Sequence, residues 1–479
     1  MIFSGPLLAA ALLGFLFLIH SFQKSRFPFK LLFCIALSPA AGLSLCSLIL
    51  FFAYLVSGAQ GKLLSSFFYT ALTVFLILHI LTTPSPPAKE LPGLSLRKKL
   101  LKMPRLPFLL SLAASGVFLF TFFHFMQLFI RASCLGAYGG WDARFFWNVK
   151  ASFYFREPAL WKNMFSPLLS WTHPDYPLML PGSIAWGWNW QGKETLLWPA
   201  VVSLVFMLSL AFLIVWYLAA FTRAWSAWLG AAFFFIITLY AYWAISQYAD
   251  VPLAFFMTAA GVLLVMAFHT KENALFFMSG WMAGMAAWTK NEGLFFVAEI
   301  LLIARLAQSG QKGREGAGKK GFLYLLQGAA LPCLAVLILK TFLGKTGDYV
   351  GSSRTLGDYF ALLFNHPENT RFIFQSFSSF LFNQGIWSGL WLSFLIAVFA
   401  SFLLGRRQAR PYGWILGLLS GAILAGYFVV LHLSPHDVRW QISTALNRLL
   451  LHPGVLALIF TFETFSPVTA VRPCTDVSS

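Results

Sequence analysis

Charged residues are scarce in this sequence. Only 10% of its 479 residues are Asp, Glu, Lys or Arg, while 59% are hydrophobic. Because soluble domains carry a charge on about a quarter of their residues, this composition excludes a soluble globular protein and predicts an integral membrane protein. Cysteine is scarce as well. The five cysteines are scattered and form no CxxC pair, so neither a zinc cluster nor a disulfide framework is predicted.

Acidic residues are fewer than basic ones, 16 against 34, and the formal net charge is +18. A basic surplus of this size raises the question of a nucleic-acid partner. The Lys and Arg residues, however, stand mostly in short gaps between apolar runs, which is typical of the cytoplasmic loops of membrane proteins. We therefore predict membrane lipids, and no nucleic acid, as partners.

Long apolar runs recur along the chain. A run of roughly 17–25 apolar residues is enough to cross the hydrocarbon core of a bilayer. We therefore predict an all-α polytopic membrane protein with about 13 transmembrane helices and with extracytoplasmic juxtamembrane helices. The predicted spans are 5–22, 31–56, 63–81, 107–130, 195–220, 225–246, 251–268, 274–289, 292–306, 321–343, 386–404, 412–432 and 444–463. The polar sequence TKNE interrupts the region 274–306, where the helix boundaries stay open.

Alternate gaps between the predicted spans differ in charge. One set holds nearly all the Lys and Arg residues and is therefore cytoplasmic, which places the N-terminus outside and the C-terminus inside. The unusual polar groups then emerge together on the extracytoplasmic side of a membrane that we predict to be the plasma (inner) membrane. They lie in the loops 131–194 and 344–385, at Asp250, and in the segments 288–293 and 432–440.

Asp142 follows a glycine pair and Trp141 at the outer end of the fourth predicted span. The next residues predict an amphipathic helix in the membrane interface, with Trp147 and Tyr154 in the headgroup zone. Asp142 then has two interpretations. It caps the N-terminus of that helix, or it is a carboxylate at the water boundary that accepts a proton from a hydroxyl group.

His173, Asp175 and Tyr176 belong to the sequence HPDYP, in which two prolines predict a stiff turn. In the structural interpretation, Asp175 bonds the backbone of its own turn. In the functional one, the turn presents the His173 imidazole to a phosphate oxygen, a metal ion or a sugar hydroxyl.

Four further ionisable residues stand where a membrane helix begins or ends. Asp250 either caps the seventh predicted span or supplies a second carboxylate to the site. Lys290 and Glu292 interrupt an apolar region, where ionisable groups are costly and indicate function, with mutual pairing as the alternative. Arg448 suits a phosphate-bearing lipid, or else extends along the membrane to reach water.

Four segments resemble the GT-C superfamily of polytopic membrane glycosyltransferases, and the branch of protein O-mannosyltransferases and aminoarabinose transferases in particular. They are GWDARFFWNVKA, HPDYPLMLPG, QYADVPLAFF and WTKNEGL, and the resemblance runs from about residue 107 to 450. It implies inverting transfer of a sugar from a polyprenyl-phosphate-linked donor at the outer membrane face. The acceptor, a hydroxyl group of a glycan, lipid or protein, stays open.

The resemblance also implies roles for individual residues. Asp142 matches the catalytic base of the first loop, and His173 and Tyr176 match an element near the donor. Asp250 matches an acid at the outer end of a later span, and Lys290 matches a lysine that contacts the lipid phosphate. Arg448 is a second phosphate contact by weaker analogy.

On this interpretation the chain has three parts. Residues 1–106 are additional N-terminal transmembrane helices with a basic cytoplasmic loop, and residues 107–463 are the GT-C-like catalytic core. Residues 464–479 are a polar C-terminal tail. The sequence departs from the family in having three spans before the usual first helix and no large soluble domain after the core.

Two other functions remain open. One is a polymerase or ligase of lipid-linked glycans. The other is a transporter or flippase, although transporters place their polar groups near the middle of the membrane, in broken helices related by repeat symmetry. A divalent metal ion is a candidate cofactor because Asp142, His173 and Asp250 offer ligands for one, but their spacing does not require it.

Overall fold

The computed structural model describes residues 4–25, 27, 29–83, 105–309, 315–344, 367–403, 412–433 and 436–466, with the side chains of 315–319 left out. The predicted basic loop at 84–104, most of the predicted loop 344–385 and the tail beyond residue 466 lie outside these residues. The described residues are helical and include no β-strand, as an all-α membrane protein requires.

The described residues form nineteen α-helices, numbered in chain order. The first ten are α1 Ser4–Ser21, α2 Lys30–Ser57, α3 Gly61–Thr82, α4 Arg105–Leu135, α5 Asn148–Arg156, α6 Met179–Gln191, α7 Leu197–Phe221, α8 Ala224–Ile236, α9 Thr238–Ile245 and α10 Asp250–Thr270. The others are α11 Asn273–Thr289, α12 Glu292–Ser309, α13 Glu315–Ile338, α14 Pro367–Leu381, α15 Gln384–Trp387, α16 Leu390–Leu403, α17 Trp414–Leu433, α18 Val438–Leu449 and α19 Leu451–Phe465.

The chain is a multi-pass membrane protein, but the predicted number of 13 spans is not confirmed. In the described residues, eight helical stretches are long and apolar enough to cross a membrane, or nine if the bent pair α8 and α9 forms one span. One of the eight runs through both α2 and α3. Three predicted spans fall short: α11 has 17 residues, α16 has 14, and α12 carries Glu292, Glu299 and Arg305.

The helices α2 and α3 form a hairpin rather than one continuous rod. A short turn at Gly58–Gln60 separates them. The side-chain amide of Gln23, just before α2, donates to the carbonyl oxygen of Thr83 at 3.1 Å, so α3 returns to the end at which α2 began. The two separately predicted spans, 31–56 and 63–81, match the two arms of this hairpin.

Small residues allow the helices to approach closely. An added Cβ at Gly14 of α1 would collide with the backbone of α2, and one at Gly280 of α11 would collide with the carbonyl oxygen of Leu325 in α13. Membrane helices associate largely through such close packing, because lipid tails are as apolar as the side chains themselves. The central helix α10 is enclosed by other helices, and its apolar stretch is completely buried.

The predicted extracytoplasmic loop 131–194 contains a buried helix in its last third. Residues 179–191 form α6, which packs on the middle of α2 and is largely buried. The hydroxyl of Ser183 donates to the carbonyl oxygen of Leu43 at 3.1 Å, and that of Ser47 donates to the carbonyl oxygen of Leu178 at 3.0 Å. These bonds satisfy polar groups inside the apolar core.

A helix is present where the interfacial helix was predicted. It is α5, preceded by a π-helical turn at Ala143–Trp147, but the side predicted to face the lipid headgroups is buried. Trp147 and Tyr154 are 2% and 0% exposed, so they belong to the core and not to the headgroup zone. Lys150 on the same helix is fully buried. Packing against other segments of the chain, and not insertion of an apolar side into lipid, therefore determines which side of α5 is buried.

Several helix ends meet at one end of the bundle. Here α10 and α12 begin, α11 ends, and the short break between α18 and α19 lies beside them. At the opposite end of the bundle, the Tyr217 hydroxyl donates a hydrogen bond to Glu463 Oε2 at 2.9 Å. Helix ends leave backbone and polar groups unpaired, which makes the first end the natural place for polar side chains.

Candidate functional site

Asp142 is fixed by its backbone to the segment just before α10. Its N–H donates to the Tyr248 hydroxyl oxygen at 3.1 Å, and the N–H of Gly140 donates to the carbonyl oxygen of Ser246 at 3.0 Å. Gly139 adopts φ +69°, a conformation that favours glycine. A Cβ added at Gly140 would lie 2.7 Å from the Tyr248 ring, so this turn fits only with glycine.

The carboxylate of Asp142 forms an ion pair with Arg448 Nη1. The guanidinium also lies over two aromatic rings, with Cζ 5.4 Å from the centroid of Tyr248 and 5.7 Å from that of Trp243. Both side chains of the pair reach the surface, Asp142 with 15% and Arg448 with 19% of its area exposed. Asp142 makes no capping hydrogen bond, so the capping interpretation is wrong.

Asp250 and Lys290 form a second, buried ion pair. Lys290 Nζ lies 3.0 Å from Asp250 Oδ1 and 3.0 Å from Glu292 Oε1, and the side chains of Lys290 and Asp250 are 6% and 2% exposed. Burial opposes the charge of Lys290, but the carboxylates of Asp250 and Glu292 outweigh it and raise the pKa of Lys290. The mutual pairing of Lys290 and Glu292 is thus confirmed, with Asp250 as a further partner.

His452 extends this network. Its Nε2 lies 3.2 Å from Asp250 Oδ1, and its Nδ1 lies 2.6 Å from the Tyr427 hydroxyl. A neutral imidazole has one donor and one acceptor nitrogen. Nε2–H donating to the carboxylate and Nδ1 accepting from the hydroxyl satisfies both. His452 is fully buried, and it contacts the same Asp250 oxygen, Oδ1, as Lys290 does.

The HPDYP turn lies beside these ion pairs. His173 has φ 51°, an uncommon conformation for a residue other than glycine. The ammonium of Lys150 donates to the carbonyl oxygens of His173 at 2.5 Å and Tyr176 at 3.5 Å. Burial, opposed in part by Asp175, lowers the pKa of Lys150 to about 7. Lys150 therefore holds the turn in place from its buried side.

Asp175 links the turn to the ion pairs. Its Oδ2 accepts from Asn291 Nδ2 at 2.7 Å and from Lys340 Nζ at 3.4 Å. Asn291 stands between Lys290 and Glu292 in the sequence, so the two halves of the site share this segment. The predicted bond of Asp175 to its own turn is thus replaced by bonds to two other parts of the chain.

Aromatic rings complete the wall next to the turn. The ring of Tyr176 stacks on His173 with 4.9 Å between centroids and on Trp147 with 5.8 Å. Tyr176 also lies close enough to Arg448 to interact electrostatically.

All eight predicted site residues thus lie at one end of the helix bundle, in a connected set of charged and aromatic groups. These residues are Asp142, His173, Asp175, Tyr176, Asp250, Lys290, Glu292 and Arg448. The set can bind an anion through its cations and can hold a carboxylate at the surface.

Five residues of the site were missed from the sequence: Lys150, Lys340, Asn291, Tyr427 and His452. His452 carried a signal, because it follows Arg448 by four residues within the predicted span 444–463, where this spacing places two residues on one helix face. Lys150 carried one too, as a lysine among aromatic residues near Asp142. Tyr427 carried none, since a single tyrosine in an apolar run is ordinary.

The described residues include no group of three or more His, Cys, Asp and Glu side chains that could hold a metal ion. Of the three candidate ligands, Asp142 pairs with Arg448 and Asp250 with Lys290. The residues as placed do not form a ligand set, and the divalent metal ion stays a prediction on which no step below depends.

Comparison with protein-family models, with curated proteins and with solved structures finds no match to this chain.

Proposed function

We propose that the protein is an inverting glycosyltransferase of the GT-C type, with its site on the extracytoplasmic face of the plasma (inner) membrane. It moves a sugar from a polyprenyl-phosphate-linked donor to a hydroxyl group of a glycan, lipid or protein. One observation carries the proposal. Where several membrane helices end, the carboxylate of Asp142 pairs with Arg448, and Arg448 is close enough to the buried Asp250–Lys290 pair to interact with it electrostatically.

In the proposed reaction, Asp142 takes the proton of the acceptor hydroxyl. The acceptor oxygen attacks the anomeric carbon, and the bond from that carbon to the phosphate oxygen breaks. The electron pair of the broken bond stays on the departing polyprenyl phosphate. Arg448 and Lys290 stabilise this growing negative charge, which is where fixed cations contribute most to the rate.

The other site residues have supporting roles in the proposal. Asp250 and Glu292 hold Lys290 in its charged form at the site, since both carboxylates raise its pKa. His173 and Tyr176 form the donor-side wall, and Asp175 ties that wall to Asn291. Membrane lipid around the helices keeps the polyprenyl chain close to the site.

The experiment is transfer of a labelled sugar from a polyprenyl-phosphate donor by the purified full-length protein. Asp142→Asn keeps the shape of the side chain but removes the base, so we expect the rate to fall by about 10²–10⁴-fold. Asp437→Asn is the matched control, because Asp437 is exposed and bonds the N–H of Trp440 at the start of α18. Unchanged transfer in a folded Asp142→Asn protein would reject Asp142 as the base.

A further inference from the structure

The proposed base and a proposed phosphate contact bind each other. Arg448 Nη1 is paired with Asp142 Oδ2, although the two residues are 306 positions apart in the sequence. The guanidinium occupies the Asp142 oxygen Oδ2, so this oxygen is not available to the proton of an acceptor hydroxyl. As the structure stands, Asp142 is therefore not free to act.

The Arg448 side chain has the means to change partners. Its Nε is buried and has no hydrogen-bond partner in the described part of the chain, so a turn of the guanidinium would bring an unused donor to an incoming oxygen. Its planar group lies over the rings of Tyr248 and Trp243. The part of Arg448 that reaches the surface is accessible to a lipid headgroup.

Asp142, by contrast, stays where it is. Its N–H is bonded to Tyr248, and the preceding Gly140 packs against the same tyrosine with no room for a side chain. When the pair breaks, the Asp142 carboxylate therefore stays in place at the site. Only the Arg448 guanidinium needs to turn to separate the two groups. Tyr248 is the common support of both residues.

The geometry points to a latch between Asp142 and Arg448 that the phosphate of the donor opens. A phosphate competes with the carboxylate for the guanidinium, since both fit its fork through paired hydrogen bonds. Binding of the donor then frees Asp142 to accept the acceptor proton. The inference rests on the proposed function and adds an order of events, in which donor binding precedes activation of the base.

The test measures binding of a polyprenyl phosphate without sugar to the full-length protein in detergent, by calorimetric titration. If the carboxylate competes with phosphate, only the unpaired fraction of Arg448 binds, and the apparent affinity is reduced by that fraction. Asp142→Asn removes the competitor. For a pair that is closed about nine times in ten, we expect binding to tighten by about tenfold.

Two controls separate the latch from a general change of charge. Asp175→Asn removes an equal charge from the same site, but Asp175 bonds Asn291 and Lys340 and not Arg448. It should tighten binding much less than Asp142→Asn. In an Arg448→Gln background, Asp142→Asn should bring no gain, whereas a general charge effect would survive there.

The outcomes are distinct. Binding to the wild type with no larger gain for Asp142→Asn than for Asp175→Asn overturns the latch and leaves the proposed function standing. Failure of the wild type and of every folded variant to bind polyprenyl phosphate overturns both.

Discussion

Lys290 and Asp250 form a buried ion pair of 3.0 Å between two helix ends that are 40 residues apart in the sequence. A buried pair contributes little net stability by itself, because desolvation offsets the attraction. Removing one partner, however, leaves an unpaired buried charge. The pair thus fixes how α10 and the α11–α12 connection meet.

Lys290→Met should lower the free energy of unfolding by about 3–5 kcal/mol, because it leaves Asp250 and Glu292 as buried carboxylates without their cation. The double variant Lys290→Met with Asp250→Asn should recover part of this loss. Thermal unfolding in detergent measures both. Lys271→Met, at an exposed lysine at the far end of α10, is the control. Equal stability of Lys290→Met and Lys271→Met would contradict the buried pair.

Gly140→Ala should displace the turn that carries Asp142. The added Cβ would lie 2.7 Å from a ring carbon of Tyr248 and 2.9 Å from its hydroxyl oxygen. Overpacking of this kind costs about 1–3 kcal/mol, and we expect sugar transfer to fall more than stability does, because the carboxylate moves relative to Arg448.

Gly136→Ala provides the comparison for this change. It lies four residues earlier in the same segment, and its Cβ would be 3.6 Å from the nearest atom, an ordinary contact. Sugar transfer and thermal unfolding are measured for both variants. A Gly140→Ala protein as active as Gly136→Ala would show that the close contact with Tyr248 does not position Asp142.

Lys150 should make stability depend on pH. Burial lowers its pKa from 10.5 to about 7 in the folded protein. Between these values the unfolded chain holds a proton that the folded protein has released, so the free energy of unfolding rises with pH through this window. Relative to that of Lys150→Met, the free energy of unfolding of the wild type should rise by about 1 kcal/mol per pH unit from about pH 7 to 10.

The measurement is the thermal midpoint of both proteins across that pH range. Lys193→Met, at an exposed lysine after α6, serves as the reference substitution. A difference between wild type and Lys150→Met that stays constant with pH would show that Lys150 does not change its protonation on folding in this range.

The proposed topology predicts that Trp141 and Lys271 lie on opposite sides of the membrane. Both are exposed, and they stand near the start and beyond the end of α10, respectively. In a background without the native cysteines, Trp141→Cys should react with an impermeant thiol reagent from the periplasmic side and Lys271→Cys only after the membrane is opened. Labelling of both positions from one side would overturn the assignment.

Much of this architecture is predictable because a bilayer imposes a simple rule. A chain crossing lipid must be helical to pair its backbone groups and apolar in its side chains, so the runs 251–268 and 321–343 correspond closely to α10 and to the apolar helical stretch Lys320–Leu343. The same rule makes polar helix ends conspicuous. Counting Lys and Arg in alternate gaps then sufficed to predict that Asp142, Asp250 and Lys290 would gather at one end.

Counting Lys and Arg residues did not predict which of these polar residues pair with each other. Glu292 pairs with Lys290 from two residues away, which neighbouring positions suggest, but the pair of Asp142 with Arg448 depends on how α18 is rotated against α9 and α10. Membrane helices are apolar on all sides and show little amphipathic periodicity, so the sequence carries weak information on which side faces inward.

Hydropathy along the chain is enough to predict a helical membrane protein and to identify the polar residues at its helix ends, because every residue of a span must be compatible with lipid. The burial of α6, the bonds of Lys150 to the HPDYP turn and the pair of Asp142 with Arg448 become visible only in the folded chain. Those features depend on side-chain contacts between distant segments, which composition and spacing do not encode.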